Sequence, residues 1–370
     1  MAILLICALL GLVSDVHADS AIKTLVLEQR TATGASTTYN PAISVNGLFL
    51  GLHTSSPVNL EGVFEDHDDE AEEDHAHVLP AEGGLSVQEV EIRMTSNVDA
   101  YLRGDLIIAI PGSEGLELEE GYVESIGLPN VTLRIGKFFS TIGKHNGMHT
   151  HAFPFIDAPI AQQRLLGGEG LNEVGLRASF LVPARWFVEL NLEVLDGVNE
   201  LFDAQRSGDF VYVLGIRNLW DLSDDSTLEI GAGGAAGHNK TGDRSSVIGT
   251  NLTWKWQPNN RSRQSLVLQA EYLWAQRKAR QITDEAGGLY TSLQLQASRM
   301  WWVQGRYDGF GFPGNSAPRQ HRFTGLLAFA ASEFSAVRIQ YSLGNETGEK
   351  SHQIAVQLNF TMGAHPAHAY

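Results

Sequence analysis

Apolar and polar residues alternate in many stretches about ten residues long, and the connections between those stretches are short and long in turn. Together these predict an all-β chain closed into a transmembrane antiparallel β-barrel of the bacterial outer membrane, with about 16 strands. A soluble sandwich would alternate too, but its strands average roughly five or six residues, whereas about ten are needed to cross a bilayer at a tilt. Past the N-terminus no stretch approaches the 18 or so apolar residues of a membrane-spanning helix, so any crossing falls to strands.

The chain begins with an apolar run, Ile3 to Val13, followed by Val16-His17-Ala18, whose small residues suit signal-peptidase cleavage before Asp19. This predicts a signal peptide over 1–18, an N-terminal periplasmic segment over 19–41, a barrel over 42–363 and a short tail over 364–370. Cys7 is the only cysteine. The exported chain is therefore expected to hold no disulfide and no thiolate metal site, and any metal must be bound by His, Asp or Glu.

Within the barrel, Val188, Leu190, Leu192 and Val194 alternate with Glu189, Asn191 and Glu193. Val337, Ile339, Tyr341 and Leu343 alternate with Arg338, Gln340 and Ser342, and Ile354, Val356, Leu358 and Phe360 with Ala355, Gln357 and Asn359. One face suits lipid and the other water. Strands are expected near 42–51, 86–96, 100–110, 116–126, 131–139, 173–181, 186–195, 210–219, 227–236, 245–256, 265–275, 288–298, 300–308, 321–330, 335–343 and 352–360. The turns among them include Trp220 to Ser226 and Ala331 to Phe334. The expected outer loops include 52–85, Gly237 to Arg244, Gln276 to Gly287 and the long insertion 140–172.

The formal net charge is −17. That disfavours nucleic acid as a partner, since phosphate binding needs clustered Lys and Arg, and it makes cations easier to attract than anions. No nucleophile elbow, phosphate-binding glycine loop or HExxH pattern is present, so no enzyme is expected and no cofactor is obligatory. Outer-membrane lipid, small ions or metal chelates, and further copies of the chain in a homo-oligomer are the expected partners.

Two histidine-bearing loops carry the candidate chemistry. In the first outer loop, His67, Asp68, His75 and His77 stand in a dense run of Asp and Glu; imidazoles and carboxylates suit Zn2+ and other divalent ions. The same composition suits a solvated acidic loop. In the 140–172 insertion, His145, His149 and His151 precede Asp157, and the insertion is expected to fold into the lumen as a constriction loop lined by these residues. Offsets of four and two allow two imidazoles to share one side of a turn, with no carboxylate close by in sequence before Asp157. Arg103, Arg134, Arg177 and Arg338, with Glu189 and Glu193, fall on the polar faces of strands and predict a lumen of mixed charge.

Several segments, among them Asn40-Pro41-Ala42-Ile43-Ser44-Val45, GKFFSTIGKHN from Gly136, HAFPFIDAPI from His151, LLGGEGLNEVG from Leu165 and GAHPAHAY from Gly363, resemble those of bacterial zinc-regulated outer-membrane proteins. These are porin-like barrels often labelled TonB-dependent receptors. The resemblance implies an outer-membrane barrel connected with zinc supply. A gated receptor needs a plug domain ahead of a barrel of about 22 strands, so a chain of this length is expected to form a passive channel. The alternative is a non-transport outer-membrane protein that binds metal or mediates adhesion.

Overall fold

The computed structural model describes residues 41–55, 62–64, 79, 83–112, 115–199, 201–203, 208–258, 264–279, 282–313, 317–345 and 350–363. Sixteen strands form one closed barrel, each antiparallel to its neighbours in sequence order. They are β1 (Ala42–Thr54), β2 (Gly84–Asn97), β3 (Leu102–Pro111), β4 (Glu117–Ser125), β5 (Val131–Phe139), β6 (Asn172–Leu181), β7 (Phe187–Leu195) and β8 (Val211–Ser223). The second half comprises β9 (Ser226–His238), β10 (Arg244–Trp256), β11 (Ser265–Ala279), β12 (Ile282–Gln296), β13 (Trp301–Phe310), β14 (Gln320–Ser332), β15 (Ser335–Gly344) and β16 (Ser351–Gly363). Closure is made by β1 against β16, in register from Ser44 opposite Gly363 to Thr54 opposite Gln353. No sheet edge is left over for another chain to extend.

The faces are the reverse of a soluble protein's. On β15, Val337, Ile339 and Tyr341 are exposed while Arg338, Gln340 and Ser342 are buried; on β16, Ile354, Val356 and Leu358 are exposed while Ala355 and Gln357 are buried. Apolar side chains thus point outward, toward a medium that need not be water, and polar ones inward. Aromatic pairs such as Trp186 with Trp220 and Trp301 with Phe329 lie near strand ends, where an amphipathic ring suits a lipid–water boundary.

All sixteen expected strands are present, and two connections differ. The stretch Trp220 to Ser226 is not an open turn: Trp220 pairs with Leu228 and Asp221 with Thr227, leaving a tight hairpin. The expected loop Gln276 to Gly287 is largely strand, since β11 runs to Ala279 and β12 restarts at Ile282. There Arg277 lies opposite Asp284 and Gln276 opposite Glu285. Cross-strand pairs between polar side chains extend a ladder as well as apolar ones do, so loss of apolar alternation marks the end of the lipid-facing part and not of the strand.

The connection from β5 to β6 is the most structured. It contains two 3-10 turns, His145–Gly147 and Thr150–Ala152, and a helix α1 (Ile160–Leu166). Pro159 sits just ahead of α1, where its missing N–H costs nothing, and Gly167 ends it with φ 79°. Ile160, Ala161, Leu165 and Leu166 join Phe138, Ile142 and Leu171 in a buried cluster with Val213, Val247, Leu273 and Ala275 from β8, β10 and β11. These strands carry small or apolar residues where polar ones would otherwise face inward, and α1 packs against β11, β12 and β13.

Candidate functional site on the inner wall

Residues 140–171 are held by inward-facing polar side chains from many strands. At the start, Ser140 Oγ donates to Glu193 Oε2 at 2.7 Å, and the Thr141 amide to Glu193 Oε1 at 3.0 Å. Next, the Lys144 and His145 amides donate to the two oxygens of Glu271, each at 3.1 Å, and Lys144 Nζ pairs with Glu229 at 2.8 Å. Further on, Arg338 donates to the Phe153 carbonyl at 2.6 Å, the Ile156 amide to Gln340 at 2.9 Å and the Ile160 amide to Asp308 at 3.2 Å. Asn359 reaches the His151 carbonyl at 3.2 Å. All of these wall groups except Glu229, which pairs with the Lys144 ammonium, satisfy loop backbone that burial would otherwise strip of partners.

Between the two 3-10 turns the same segment meets a dense group of acids from β2 and β4. His149 Nδ1 lies 3.1 Å from Glu119 Oε1 and 3.4 Å from Glu91 Oε2, and its Nε2 lies 3.1 Å from Glu120 Oε2. His151 Nδ1 is 2.9 Å from Glu91 Oε2. Thr150 Oγ1 donates to Glu89 Oε2 at 2.8 Å, and Asn46 Nδ2 to Glu91 Oε1 at 3.3 Å. Glu89 and Glu91 are each 1% exposed, Glu119 3% and Glu120 7%.

Two β-bulges create this grouping. Leu48 opposes Glu89 while Phe49 opposes Val87, which leaves Gln88 as the extra residue of β2. Ile107 opposes Glu120 while Ile108 opposes Leu118, which leaves Glu119 as the extra residue of β4. A bulge breaks the two-residue period, so the consecutive residues Gln88 and Glu89, and likewise Glu119 and Glu120, are all buried. Between them, β3 contributes Ile107 and Ala109, both buried, as an apolar floor.

The electrostatics follow from that burial. Removal from water alone would depress the pKa of His149, but the Glu119, Glu120 and Glu91 carboxylates outweigh it and hold the ring well above an ordinary histidine. Asp157 is the converse: burial would raise it, but Arg306 and Arg322 outweigh this and keep it below the usual carboxylate value. Among the described residues two sets have ligand atoms close enough to share a metal ion, Glu89–Glu91–His151 and Glu91–Glu119–His149.

No family model matches the chain. An uncharacterized protein of Aquifex aeolicus (strain VF5) is 28% identical over 347 residues, spanning 80% of this chain and 72% of that protein. Among solved structures, the anion-selective porin from Comamonas acidovorans matches with a TM-score of 0.58 at 10% identity, covering 87% of this chain and all of that one (100%). The outer-membrane channel DcaP of Acinetobacter baumannii matches at 0.57 with 9% identity, covering 87% and 96% of the two chains. OmpF of Salmonella typhi matches at 0.55 with 10% identity, covering 86% and 97%. The fold is that of the outer-membrane porins.

In this porin-like barrel the residues singled out from sequence separate into distinct settings. His67, Asp68, His75 and His77 lie outside the described residues. His149 and His151 come together with the wall acids, whereas His145 is buried against Phe153, with ring centroids 4.4 Å apart, and faces Tyr290. Asp157 is 2% exposed, and it pairs with Arg306 and Arg322 instead of the histidines. Arg103 and Arg134 both pair with Glu124, at 2.5 and 2.8 Å, and Arg177 pairs with Glu193 at 2.7 Å. Arg217 pairs with Glu189 at 3.0 Å, and Arg338 is held by Gln357 at 2.7 Å. Acids thus offset Arg103, Arg134, Arg177 and Arg217, while Arg338 is met by an amide. Nothing local in the sequence sets Glu89, Glu91 and Glu119 apart from other acids on the strands, and their meeting with His149 and His151 was not foreseeable from adjacency.

Proposed function

We propose that this protein is an outer-membrane diffusion channel for small solutes, favouring divalent metal ions such as zinc or their small chelates, with residues 140–172 as its constriction. The observation that carries the reading is the meeting of His149 and His151 with Glu89, Glu91 and Glu119 inside a porin-like barrel. A buried cluster of carboxylates presents a negative potential that draws cations, and imidazoles add selectivity for borderline metals. The overall charge of −17 acts in the same direction. The barrel has sixteen strands, well short of the roughly 22 of plugged, energy-coupled transporters, which favours passive passage. OmpT of Vibrio cholerae, a structural neighbour with a TM-score of 0.54, was solved in a trimer form, and the apolar outer face here is suited to lipid or to further copies of the chain.

Planar-bilayer recording on purified, refolded protein tests the reading. Single-channel openings whose conductance falls when zinc is added are expected. A protein that inserts without openings would favour the metal-binding or adhesion alternative. In the same reading the acidic tract with His67, Asp68, His75 and His77 gathers ions at the mouth. Deleting residues 65–77 should then lower zinc stoichiometry in calorimetry and spare conductance.

A further inference from the structure

We infer that the cluster on β2 and β4 is a resident divalent transition-metal site, in which bound metal staples the 145–152 turns to the barrel wall through Glu91, Glu119 and His149, with Glu89 and His151 completing an adjoining set that shares Glu91. This deepens the channel reading at the same side chains, but it concerns occupancy and not passage.

Spacing is the first support. Metal–ligand bonds to imidazole nitrogen and carboxylate oxygen are about 2.0 to 2.2 Å, so two ligands of one ion lie roughly 3 to 3.6 Å apart. His149 Nδ1 is 3.1 Å from Glu119 Oε1 and 3.4 Å from Glu91 Oε2, and His151 Nδ1 is 2.9 Å from Glu91 Oε2. All ligand atoms of each set lie within 4.8 Å of one another, a spread that small rotamer adjustments close around an ion.

The outer partners are the second support. A metal-bound histidine typically gives its other ring N–H to a carboxylate, which fixes the ring and raises its basicity. With Nδ1 turned to Glu91 and Glu119, His149 has Nε2 3.1 Å from Glu120 Oε2, and Glu120 Oε1 is itself held by the Phe139 amide at 3.1 Å. Glu91 and Glu89 are likewise each steadied at one oxygen, by Asn46 and Thr150. Glu91 Oε2, almost fully buried, lies 2.9 Å from His151 Nδ1 and 3.4 Å from His149 Nδ1, within reach of both imidazoles.

Charge is the third. Four nearly buried carboxyl groups, those of Glu89, Glu91, Glu119 and Glu120, face two imidazoles. Arg93 and Arg134 are already engaged by Asp105 and Glu124. Buried charge of one sign is costly without a counter-charge, and a divalent ion supplies it. The nitrogen and oxygen donor set, with no thiolate, suits Zn2+, Co2+, Mn2+ or Fe2+.

The test uses full-length, refolded protein in detergent, stripped with a chelator and titrated with Co2+ and then Zn2+. Wild type is compared with Glu91→Gln, Glu120→Gln and the double variant His149→Gln/His151→Gln, all keeping residues 65–77. Wild type should show the visible absorption of Co2+ bound by nitrogen, displaced by Zn2+. Glu120→Gln should weaken binding about 10- to 100-fold, as loss of an outer partner does, and Glu91→Gln by more. Zinc should also slow hydrogen exchange at 145–152 in wild type and not in Glu91→Gln. Heat-modifiable mobility on gels certifies folding, and the double histidine variant serves if Glu91→Gln fails to fold. Identical isotherms and spectra for wild type and the folded variants would overturn the site and leave a purely hydrogen-bonded cluster. Because binding is read at equilibrium without a membrane, an intact Co2+ site in a channel whose conductance ignores zinc would sink the transport preference alone.

Discussion

Arg306 and Asp157 are 149 positions apart in the chain, yet Arg306 Nη2 sits 3.0 Å from Asp157 Oδ2 and Arg306 Nη1 donates to the Asp157 carbonyl at 2.8 Å. Arg322 Nη2 approaches the same oxygen at 2.9 Å, and Gln340 donates to Oδ1 at 2.8 Å. One loop carboxylate thereby ties the segment to β13, β14 and β15, across the loop from the acids of β2 and β4. Asp157→Ala would leave two buried guanidinium groups short of their counter-charge. Removing one partner of a buried pair costs roughly 3 to 5 kcal/mol, so the urea midpoint in detergent should fall and conductance should rise or become noisy. Unchanged midpoint and conductance would show that this contact does not hold the segment.

The same anchor sets an acid limit. The Asp157 pKa is lowered in the folded chain, so its contribution to stability is fully present above the unfolded value, near 4, and is lost as pH falls through the lower folded value. Between neutral pH and about pH 5 the wild-type urea midpoint should owe no change to this residue. Below pH 4 the difference between wild type and Asp157→Asn should shrink. A difference that instead shrinks on raising the pH from 5 to 8 would assign it to another group.

The barrel was legible in the sequence because lipid outside and polar side chains inside impose a two-residue period, and β15 and β16 show it without interruption. The site was legible only in part. His149 and His151 stood out as histidines in a long insertion, but a search for carboxylates close in sequence ends at Asp157, which goes to Arg306 and Arg322. The acids that do meet the rings lie upstream on β2 and β4, and two are buried neighbours of a bulge that breaks the period. A bulge is set by register between strands, and the strand carrying it has no local mark of one. The apolar lining at Val213, Val247 and Leu273 was hidden for a related reason: apolar residues at inward positions look like noise in the alternation until α1 is seen against them.

Gly143 marks where the segment turns toward β11. Its φ is 70°, and a Cβ there would collide with Glu271 Oε1. Glu271 cannot swing aside freely, since it accepts from the Lys144 and His145 amides and from Tyr290 Oη, each at 3.1 Å. Left-handed backbone costs a residue with a side chain about 1 to 3 kcal/mol, and the displaced carboxylate adds to that. Gly143→Ala should therefore lower the thermal midpoint of the folded barrel and speed proteolysis within 140–150, while strand content by circular dichroism stays near wild type. An alanine variant as stable and protease-resistant as wild type would mean that the turn is not set by this glycine.

The closed antiparallel order also fixes which hairpins share an end of the barrel. Successive strands run in opposite directions, so the β9–β10 connection holding Lys240 and the β14–β15 hairpin at Ser332 lie at opposite ends. The two ends differ in build, for Ser332 pairs with Ser335 across a minimal turn, whereas Asn239 organises residues 239–243 through bonds to Thr241, Asp243 and the Lys278 carbonyl. Outer-membrane barrels keep short turns on the periplasmic side and longer loops outside, which puts Lys240 outside and Ser332 in the periplasm. Asp68 and Asn259, expected outside and periplasmic by the same parity, lie beyond the described residues. With Cys7 as the only native cysteine, single cysteines at Lys240 and Ser332 should report cleanly to a membrane-impermeant maleimide on intact cells. Lys240→Cys should label at once, and Ser332→Cys only after the outer membrane is opened. Equal labelling of both on intact cells would be incompatible with strands that cross the membrane in this order, and the reverse pattern would invert the barrel's orientation while keeping its topology.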